Sequence, residues 1–392
     1  MKKLLVVLLT VFCVFSLVGC GGSSNDEGTA DAGDGTVTIK LGGSGPLTGD
    51  TAVYGKAVEN AAKLAVKEIN ESDSKIKFDF KFEDDEADTE KAITAYSSLY
   101  DWGMQLSLFT VTSGSGANVA ALYDEDKIFA LTPSGSSTAL AYTDTTNYKG
   151  NFQMCFTDPN QGVASADYMK TKFADKKIAV IYKNDDVYSA GVYEKFDAQS
   201  KANGLNVVYV GSFTADTSTD FSSQLQGAKD AGADLVYLPI YYQPASIILK
   251  QASDKDYAPI FFGIDGMDGI LTLENFDTSL AEGVYLLTPF AADATDDATV
   301  HFVTAFEAEY NEEPNQFAAD AYDCVYAIKQ ALENIGVDNI DADNLYEPMV
   351  AQFNSMTFNG ITGTNVTWAE NGEVSKAPKA VVITNGVYVS AD

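Results

Sequence analysis

Two neighbouring segments, "TVTIKLGG" (residues 36–43) and "YGKAVENAAKLAVKEIN" (residues 54–70), contain the pattern that decides the fold. The first is an apolar run of strand length. The second places Ala57, Leu64 and Ile69 on one face of a helix. A strand followed by a helix is the unit from which parallel sheets are built, because the helix returns the chain to the start of the next strand.

The same unit recurs along the chain, because most of the later strand-like runs are also followed by a helical pattern. Residues 151–162, "NFQMCFTDPNQG", interrupt this alternation, and a second series then begins. We therefore expect an α/β protein with two Rossmann-like lobes, each built on a parallel sheet. The later runs are "IKFDFKFED" (76–84), "LSLFTVTS" (106–113), "KIFALTPS" (127–134), "KKIAVIYKND" (176–185), "GLNVVYVGSF" (204–213), "ADLVYLPIYY" (233–242) and "APIFFGID" (258–265).

The N-terminal residues have the pattern of an export signal. Two lysines precede an apolar run at residues 4–15, which is too short to span a bilayer as a stable helix. The run closes with "LVGC" (17–20), which resembles the bacterial lipobox. We expect residues 1–19 to be a signal peptide and residues 20–36 to comprise a lipidated cysteine, Cys20, which carries palmitate, and a flexible polar tether. The alternative is an ordinary signal peptide.

Charge, length and cysteine content limit the possible partners and the domain organisation. The chain has 392 residues and a formal net charge of -31, which disfavours a nucleic-acid partner because phosphate binding relies on basic surface. This length favours two domains. Beyond residue 20 the only cysteines are Cys155 and Cys324. We expect two buried thiols, with a disulfide between them as the alternative.

Ligands of open parallel sheets bind beyond the carboxyl ends of the strands, and the residues at those ends differ between the two halves of the chain. Small residues with hydroxyl groups suit an anion at helix N-termini, and an acid with aromatic neighbours suits a cation. If the two sets face each other, they form a site for a zwitterion such as an α-amino acid. The first half has "GGSGPLTG" (42–49), "TSGSGAN" (112–118) and "PSGSS" (133–137), and the second half has "KNDDVYSAG" (183–191), "YYQPAS" (241–246) and "DGMDG" (265–269).

From residue 37 to the C-terminus the chain resembles the extracytoplasmic solute-binding proteins of ABC importers, specifically the branched-chain amino-acid (Leu/Ile/Val) binding family. Four segments in the family's order, together with the lipobox, carry this resemblance. They are "GPLTGDTAVYGKAVENAAKLAVKEIN" (45–70), "DDEADTEKA" (84–92), "FTDPNQG" (156–162) and "FNGITGTNVTWAENGEV" (358–374).

The resemblance implies a type I periplasmic-binding fold, in which three crossovers join two lobes that close on the ligand by a hinge. Lobe 1 would comprise residues 37–156 plus 289–358, and lobe 2 would comprise residues 157–288 plus 359–392. It also implies an extracytoplasmic, lipid-anchored monomer without a cofactor, which passes an amino acid to the permease and ATPase subunits of an ABC importer. A lipid-anchored ligand sensor is the alternative.

The resemblance also assigns roles to residues. Contacts to the ligand's α-carboxylate fall on Ser113, Ser134 and Ser136, and the contact to the α-ammonium falls on Asp265. Aromatic contacts fall on the tyrosines at positions 54, 188 and 242 (Tyr54, Tyr188 and Tyr242).

The residues around Ala318 and Ala319 depart from the family pattern, which often has a large aromatic side chain there. Because of this departure, the resemblance does not determine which side chain the ligand carries. An aliphatic amino acid is the first expectation, and aromatic amino acids or small amides are the alternatives.

Two rival readings are disfavoured. The sequence lacks common catalytic motifs, which disfavours an enzyme. It has one histidine, His301, and no motif of a serine hydrolase, zinc protease or P-loop protein. A calcium site at the acidic run 83–88 lacks the glycine and terminal glutamate of an EF-hand loop. We interpret that run as a solvated loop in which Asp88 caps a helix.

Overall fold

The structure, a computed structural model, describes residues 35–391. The predicted signal peptide, the lipidation site Cys20 and nearly all of the predicted tether lie outside this range. Within it, every helix is too short or too polar to span a bilayer.

The first sheet has five parallel strands in the order β2-β1-β3-β4-β5. Helices α1, α2 and α3 connect the first four strands, so the strand and helix alternation predicted from the sequence is confirmed for this half. The elements are β1 (Val37–Gly45), α1 (Ala52–Glu71), β2 (Ile76–Asp84), α2 (Thr89–Asp101), β3 (Leu106–Thr110), α3 (Ser113–Glu125), β4 (Phe129–Thr132) and β5 (Asn151–Gln153).

Local contacts position the loop between β1 and α1. Gly55, in the first turns of α1, lies so close to the chain before the helix that a Cβ atom there would be 2.0 Å from the Pro46 carbonyl oxygen. Only glycine fits this approach. At the start of α2, the Asp88 carboxylate accepts hydrogen bonds from the backbone N–H groups of Glu90 and Lys91. The predicted helix cap is therefore confirmed.

The second sheet has seven strands in the order β12-β11-β10-β9-β8-β6-β7. The five strands from β6 to β10 are parallel, as predicted for β6 to β9, whereas β10 was not among the predicted runs. The elements are α4 (Asp158–Lys172), β6 (Lys177–Lys183), α5 (Val187–Asn203), β7 (Asn206–Phe213), α6 (Ser222–Asp230), β8 (Leu235–Leu238), α7 (Tyr242–Asp254), β9 (Ile260–Gly263), β10 (Tyr285–Thr288), β11 (Lys379–Thr384) and β12 (Val387–Ser390).

The second sheet is not wholly parallel, which corrects the expectation of two parallel sheets. Strand β11 runs antiparallel to both β10 and β12. The turn between β11 and β12 consists of Asn385 and Gly386, both with positive φ (54° and 77°). An Asn-Gly pair with this geometry forms the two-residue turn that joins antiparallel strands.

Three helices that follow β10 return to the first sheet. They are α8 (Asp297–Tyr310), α9 (Gln316–Ile335) and α10 (Tyr346–Phe353). Helix α9 packs on α1 and on strands β2, β3 and β4, and α10 packs on β4. The chain therefore passes between the two layers three times, after β5, after β10 and between α10 and β11. This confirms the predicted type I periplasmic-binding architecture.

Candidate functional site

A small cavity lined by buried residues lies between the carboxyl ends of the two sheets, with about 240 Å³ of empty space that includes its opening to solvent. Six of the seven predicted ligand contacts line it. Its lining consists of Tyr54, Val111, Thr112, Ser113, Ser134, Ser136 and Phe317 from the first-sheet layer and Tyr188, Tyr241, Asp265 and Gly266 from the second. The structure therefore brings the two predicted half-sites together at one place.

The first half-site is built on the N-terminus of α3. Ser113 is the first residue of α3. The first three N–H groups of this helix have no acceptor within the helix. The loop after β4 lies beside it, since the Ser137 N–H donates to Ser113 Oγ at 3.1 Å. Ser134 and Ser136 belong to this loop and are 8% and 2% exposed. The arrangement presents neutral donors and a helix N-terminus to an anionic group.

Buried side chains hold this loop in place. The Thr132 hydroxyl accepts from the Gly135 N–H at 2.8 Å and donates to the Thr110 carbonyl at 2.8 Å. The Gln153 amide donates to the carbonyl oxygens of Gly135 and Ser137 at 2.8 and 3.1 Å. The donors therefore have their positions before any ligand arrives, which lowers the entropic cost of binding.

The second half-site is organised around Asp265, in the turn that follows β9. Gln161 Nε2 donates to Asp265 Oδ2 at 3.0 Å and to the Phe156 carbonyl at 2.9 Å. The Tyr188 hydroxyl donates to Gln161 Oε1 at 3.1 Å and accepts from the Gly266 N–H at 2.8 Å. Gln161 is fully buried and links the acid to the tyrosine. Sequence reasoning missed Gln161, although it lies in the "FTDPNQG" segment.

Aromatic rings form the walls of the cavity. Tyr188 stacks on Tyr241, with ring centroids 5.0 Å apart and planes 5° apart. Tyr54 contacts Tyr241 at 5.5 Å and Phe317 at 4.6 Å. Its hydroxyl donates to the Gly266 carbonyl, so a first-layer ring is bonded directly to the turn of the second layer.

Tyr242 is the predicted contact that does not line the cavity. It packs edge-on against Tyr54 at 5.0 Å, and its hydroxyl accepts from the Val53 N–H at 3.3 Å. Its other side faces an outer crevice. Tyr241 takes the lining position. Neighbouring tyrosines at the start of a helix point in different directions, and the sequence alone did not indicate which one faces inward.

Phe317 precedes Ala318 and Ala319 at the start of α9 and lines the cavity. Ala318 and Ala319 are fully buried and are not among the lining residues. An aromatic ring therefore lines the cavity at this end of α9.

Acidic groups dominate the electrostatics of the second half-site. Burial raises the pKa of Asp265 well above its ordinary value, and the nearby carboxylate of Asp158 raises it further. Burial also raises the pKa of Asp158, which is 2% exposed and whose Oδ1 has no hydrogen-bond partner among the described residues. None of the lining residues is basic. A cationic group would therefore be attracted to this side of the cavity.

A buried ion cluster lies behind the site, where the segment before β11 meets α9. Lys376 Nζ donates to Asp320 and to the Thr362 hydroxyl, and Asp323 accepts from the N–H groups of Ile361 and Thr362. The side chains of Lys376 and Asp320 are each 1% exposed. Burial raises the pKa of Asp320 to about 6 even though the Lys376 ammonium lowers it.

Neither a metal site nor a disulfide is present in the part of the chain that the structure describes. No cluster of three or more acidic, histidine or cysteine side chains there could hold a metal ion. Cys155 and Cys324 are both buried and unpaired, so the expectation of two buried thiols is confirmed.

Two α/β layers joined by three crossovers, with a site between them, define the type I periplasmic-binding class. The chain belongs to the periplasmic binding protein family, which matches residues 38–386. The family predicted from the sequence is therefore confirmed.

Individual relatives agree with this assignment. The chain is 27% identical to the Leu/Ile/Val-binding protein homolog 3 of Brucella melitensis, over 86% of this chain and 89% of the relative. Its fold is similar to that of a branched-chain amino-acid transporter substrate-binding protein from Streptococcus pneumoniae solved with isoleucine (TM-score 0.78, 24% identity, 90% of this chain and 100% of that one). It is also similar to an R. palustris solute-binding protein solved with benzoate (TM-score 0.80, 19% identity, 91% and 96% covered).

The buried ion cluster predicts how the fold responds to the loss of Lys376. Replacing Lys376 with Met leaves the carboxylates of Asp320 and Asp323 buried without their cation, which should lower the free energy of unfolding by about 3 to 5 kcal/mol at neutral pH. Thermal unfolding followed by circular dichroism measures the loss. Lys379→Met, which removes an exposed lysine from β11, should leave the melting temperature unchanged.

The pH dependence of this loss has a defined sign. The pKa of Asp320 is raised in the folded protein, so its carboxyl group destabilises the fold as the pH rises from about 4, the ordinary value, to about 6. Removing Lys376 raises that pKa further. The deficit of Lys376→Met should therefore be largest at neutral pH and shrink as the solution is acidified. If Lys376→Met lost as much unfolding free energy in acid as at neutral pH, the charge assigned to the cluster would be contradicted.

Proposed function

We propose that the protein is the solute-binding component of an ABC importer and captures a small zwitterionic amino acid, most simply an aliphatic one, between its two layers. The observation that carries the proposal is the cavity with neutral donors on one side and the buried acid Asp265 on the other. Ser113, Ser134 and Ser136 would bind the α-carboxylate, and Asp265 would bind the α-ammonium. The chain binds its ligand and does not convert it.

The polarity of the cavity and its aromatic walls favour this class of ligand. The aromatic walls offer apolar surface to an aliphatic side chain. The family relatives named above include one that is called a Leu/Ile/Val-binding protein and one solved with isoleucine.

Aromatic carboxylates are the second candidate, because one structural neighbour was solved with benzoate and four rings line the cavity. Buried Asp265 argues against them. Benzoate has no cationic group, so its binding would leave the acid desolvated beside a second anion. Aromatic amino acids and small amides remain further alternatives for the side-chain pocket.

Amino acids are therefore expected to raise the melting temperature of the protein, and benzoates, sugars and nucleosides are not. A ligand present well above its dissociation constant stabilises the folded state by RT ln(1 + [L]/Kd). A thermal-shift panel of amino acids, amides, benzoates, sugars and nucleosides measures this directly. A response to benzoates alone would favour the second candidate, and a response only to sugars or nucleosides would refute both.

Replacing Asp265 with Asn should weaken binding of the identified amino acid by about two to four decades. The substitution keeps the shape and removes the counter-ion of a buried ammonium, which costs on the order of 3 to 5 kcal/mol. Ser136→Ala should cost less, about 1 to 3 kcal/mol, because other donors to the carboxylate remain. Isothermal titration calorimetry measures both, with exposed Asp277→Asn as the matched control. Binding by Asp265→Asn within threefold of wild type would show that another acid holds the ammonium.

We also propose that Cys20 is acylated and anchors the protein to the outer face of the cytoplasmic membrane, where it would meet its permease. The lipobox and the polar tether support this. Replacing Cys20 with Ser should release the protein from the membrane fraction and abolish incorporation of labelled palmitate. A Cys20→Ser protein that is still acylated and membrane-bound would refute the anchor.

A further inference from the structure

The turn after β9 contains two buried acids three residues apart, and the proposed function uses only one of them. Asp265 lines the cavity, whereas Asp268, which is 5% exposed, faces the N-terminus of α9. The Asp268 N–H donates to the Asp265 carbonyl at 2.8 Å, so both acids belong to one short hydrogen-bonded turn. A displacement of one acid therefore displaces the other.

Asp268 joins the two layers. Its Oδ2 accepts from the backbone N–H of Gln316 at 2.9 Å, and its Oδ1 accepts from the Gly269 N–H at 2.8 Å. Gln316 is the first residue of α9, which packs on the first sheet, whereas Asp268 follows a strand of the second sheet. The bond therefore crosses the cleft and meets the positive end of a 20-residue helix.

Two further contacts hold the same turn against the first-sheet layer. The Gln316 side chain donates to the Asp265 carbonyl at 3.1 Å, and the Tyr54 hydroxyl donates to the Gly266 carbonyl. Of these three contacts of the turn, only the one from Asp268 uses a carboxylate as the acceptor. Charge-assisted hydrogen bonds are about twice as strong as neutral ones, and a buried carboxylate that loses a donor is costly.

We propose that Asp268 is a positioning residue whose bond to the Gln316 N–H holds the turn of Asp265 against the first-sheet layer in the closed protein. The proposal rests on the proposed function, because it explains how a ligand bound by Asp265 is retained. Dissociation requires the layers to separate, and separation breaks the bond. Loss of the bond should therefore speed dissociation and leave association, which starts from separated layers, unchanged.

Gln316 allows this bond to be removed by a matched pair of variants. Proline is well tolerated at the first position of a helix, where its missing N–H is not needed by the helix itself. Gln316→Pro removes the N–H and the side chain and also places the ring Cδ toward Asp268 Oδ2, which lies 2.9 Å from the Gln316 nitrogen, whereas Gln316→Ala removes the side chain alone. The difference between the two therefore reports the loss of the bond together with this steric clash, and Asp268→Ala, which adds no atoms, reports the loss of the carboxylate by itself.

Stopped-flow binding of whichever panel compound the wild-type protein binds is the test. Gln316→Pro should dissociate about 5- to 100-fold faster than Gln316→Ala, with equal association rates. Without ligand, the two variants should melt at the same temperature, because the bond is absent when the layers are apart. Equal dissociation rates, or a rate difference that accompanies a lower ligand-free melting temperature, would overturn the proposal.

A second variant covers the case in which Gln316→Pro does not fold. Asp268→Ala removes the carboxylate and should also speed dissociation, whereas exposed Glu274→Ala, in the same connection, should not. Equal dissociation rates for these two variants would again overturn the proposal. A wild-type protein that binds no amino acid would instead refute the proposed function, so the two failures are distinguishable.

Discussion

The arrangement of the site depends on one constraint, the burial of Asp265 without a basic residue in the cavity lining. A carboxylate removed from water needs a counter-charge or several donors, and this one has a hydrogen bond from Gln161 and the acid Asp158 nearby. The cavity is therefore electrostatically incomplete in a way that the ammonium group of the proposed ligand would correct. The opposite wall, with its helix N-terminus and hydroxyl groups, is suited to the other end of the same molecule. The proposed preference for a zwitterion rests on this contrast, with an acid on one wall and neutral donors on the other.

Rigid elements keep the two halves of the site in position. On the first layer, Thr132 and Gln153 fix the serine loop through backbone contacts, and on the second, Gln161 fixes Asp265 and Tyr188 through one amide group. The halves are joined by polar contacts of the turn after β9 with α1 and α9, and by the Tyr54 ring, which packs on Tyr241 and Tyr242. Polar contacts of this kind can form and break, whereas an apolar interface of the same size would resist separation. Rigid half-sites joined by contacts that can break suit a protein that must admit and release its ligand.

Much of the site was predictable because parallel sheets place their strand ends at one edge. The segments after β1, β3, β4, β6, β8 and β9 were therefore identified from strand-like runs, whereas the roles of individual residues came from the family resemblance. Other features were not. Tyr241 and Tyr242 are adjacent and chemically identical, and only the start of α7 decides which ring faces the cavity. The sequence analysis assigned no role to Asp158, which lies in "FTDPNQG". The antiparallel turn at Asn385 and Gly386 had a clear sequence signal that the dominant parallel pattern concealed.

The sequence by itself determined the alternation of strands and helices, the division into two series and the chemical contrast between the two sets of strand ends. These properties are local, since they depend on apolar periodicity and on which residue types follow each run. Tertiary structure alone decided which side chains meet. The bonds from Tyr54 to Gly266 and from Gln316 to Asp268 join residues that are distant in the chain. Such pairs depend on how the two layers pack against each other, and no local pattern of residues encodes that packing.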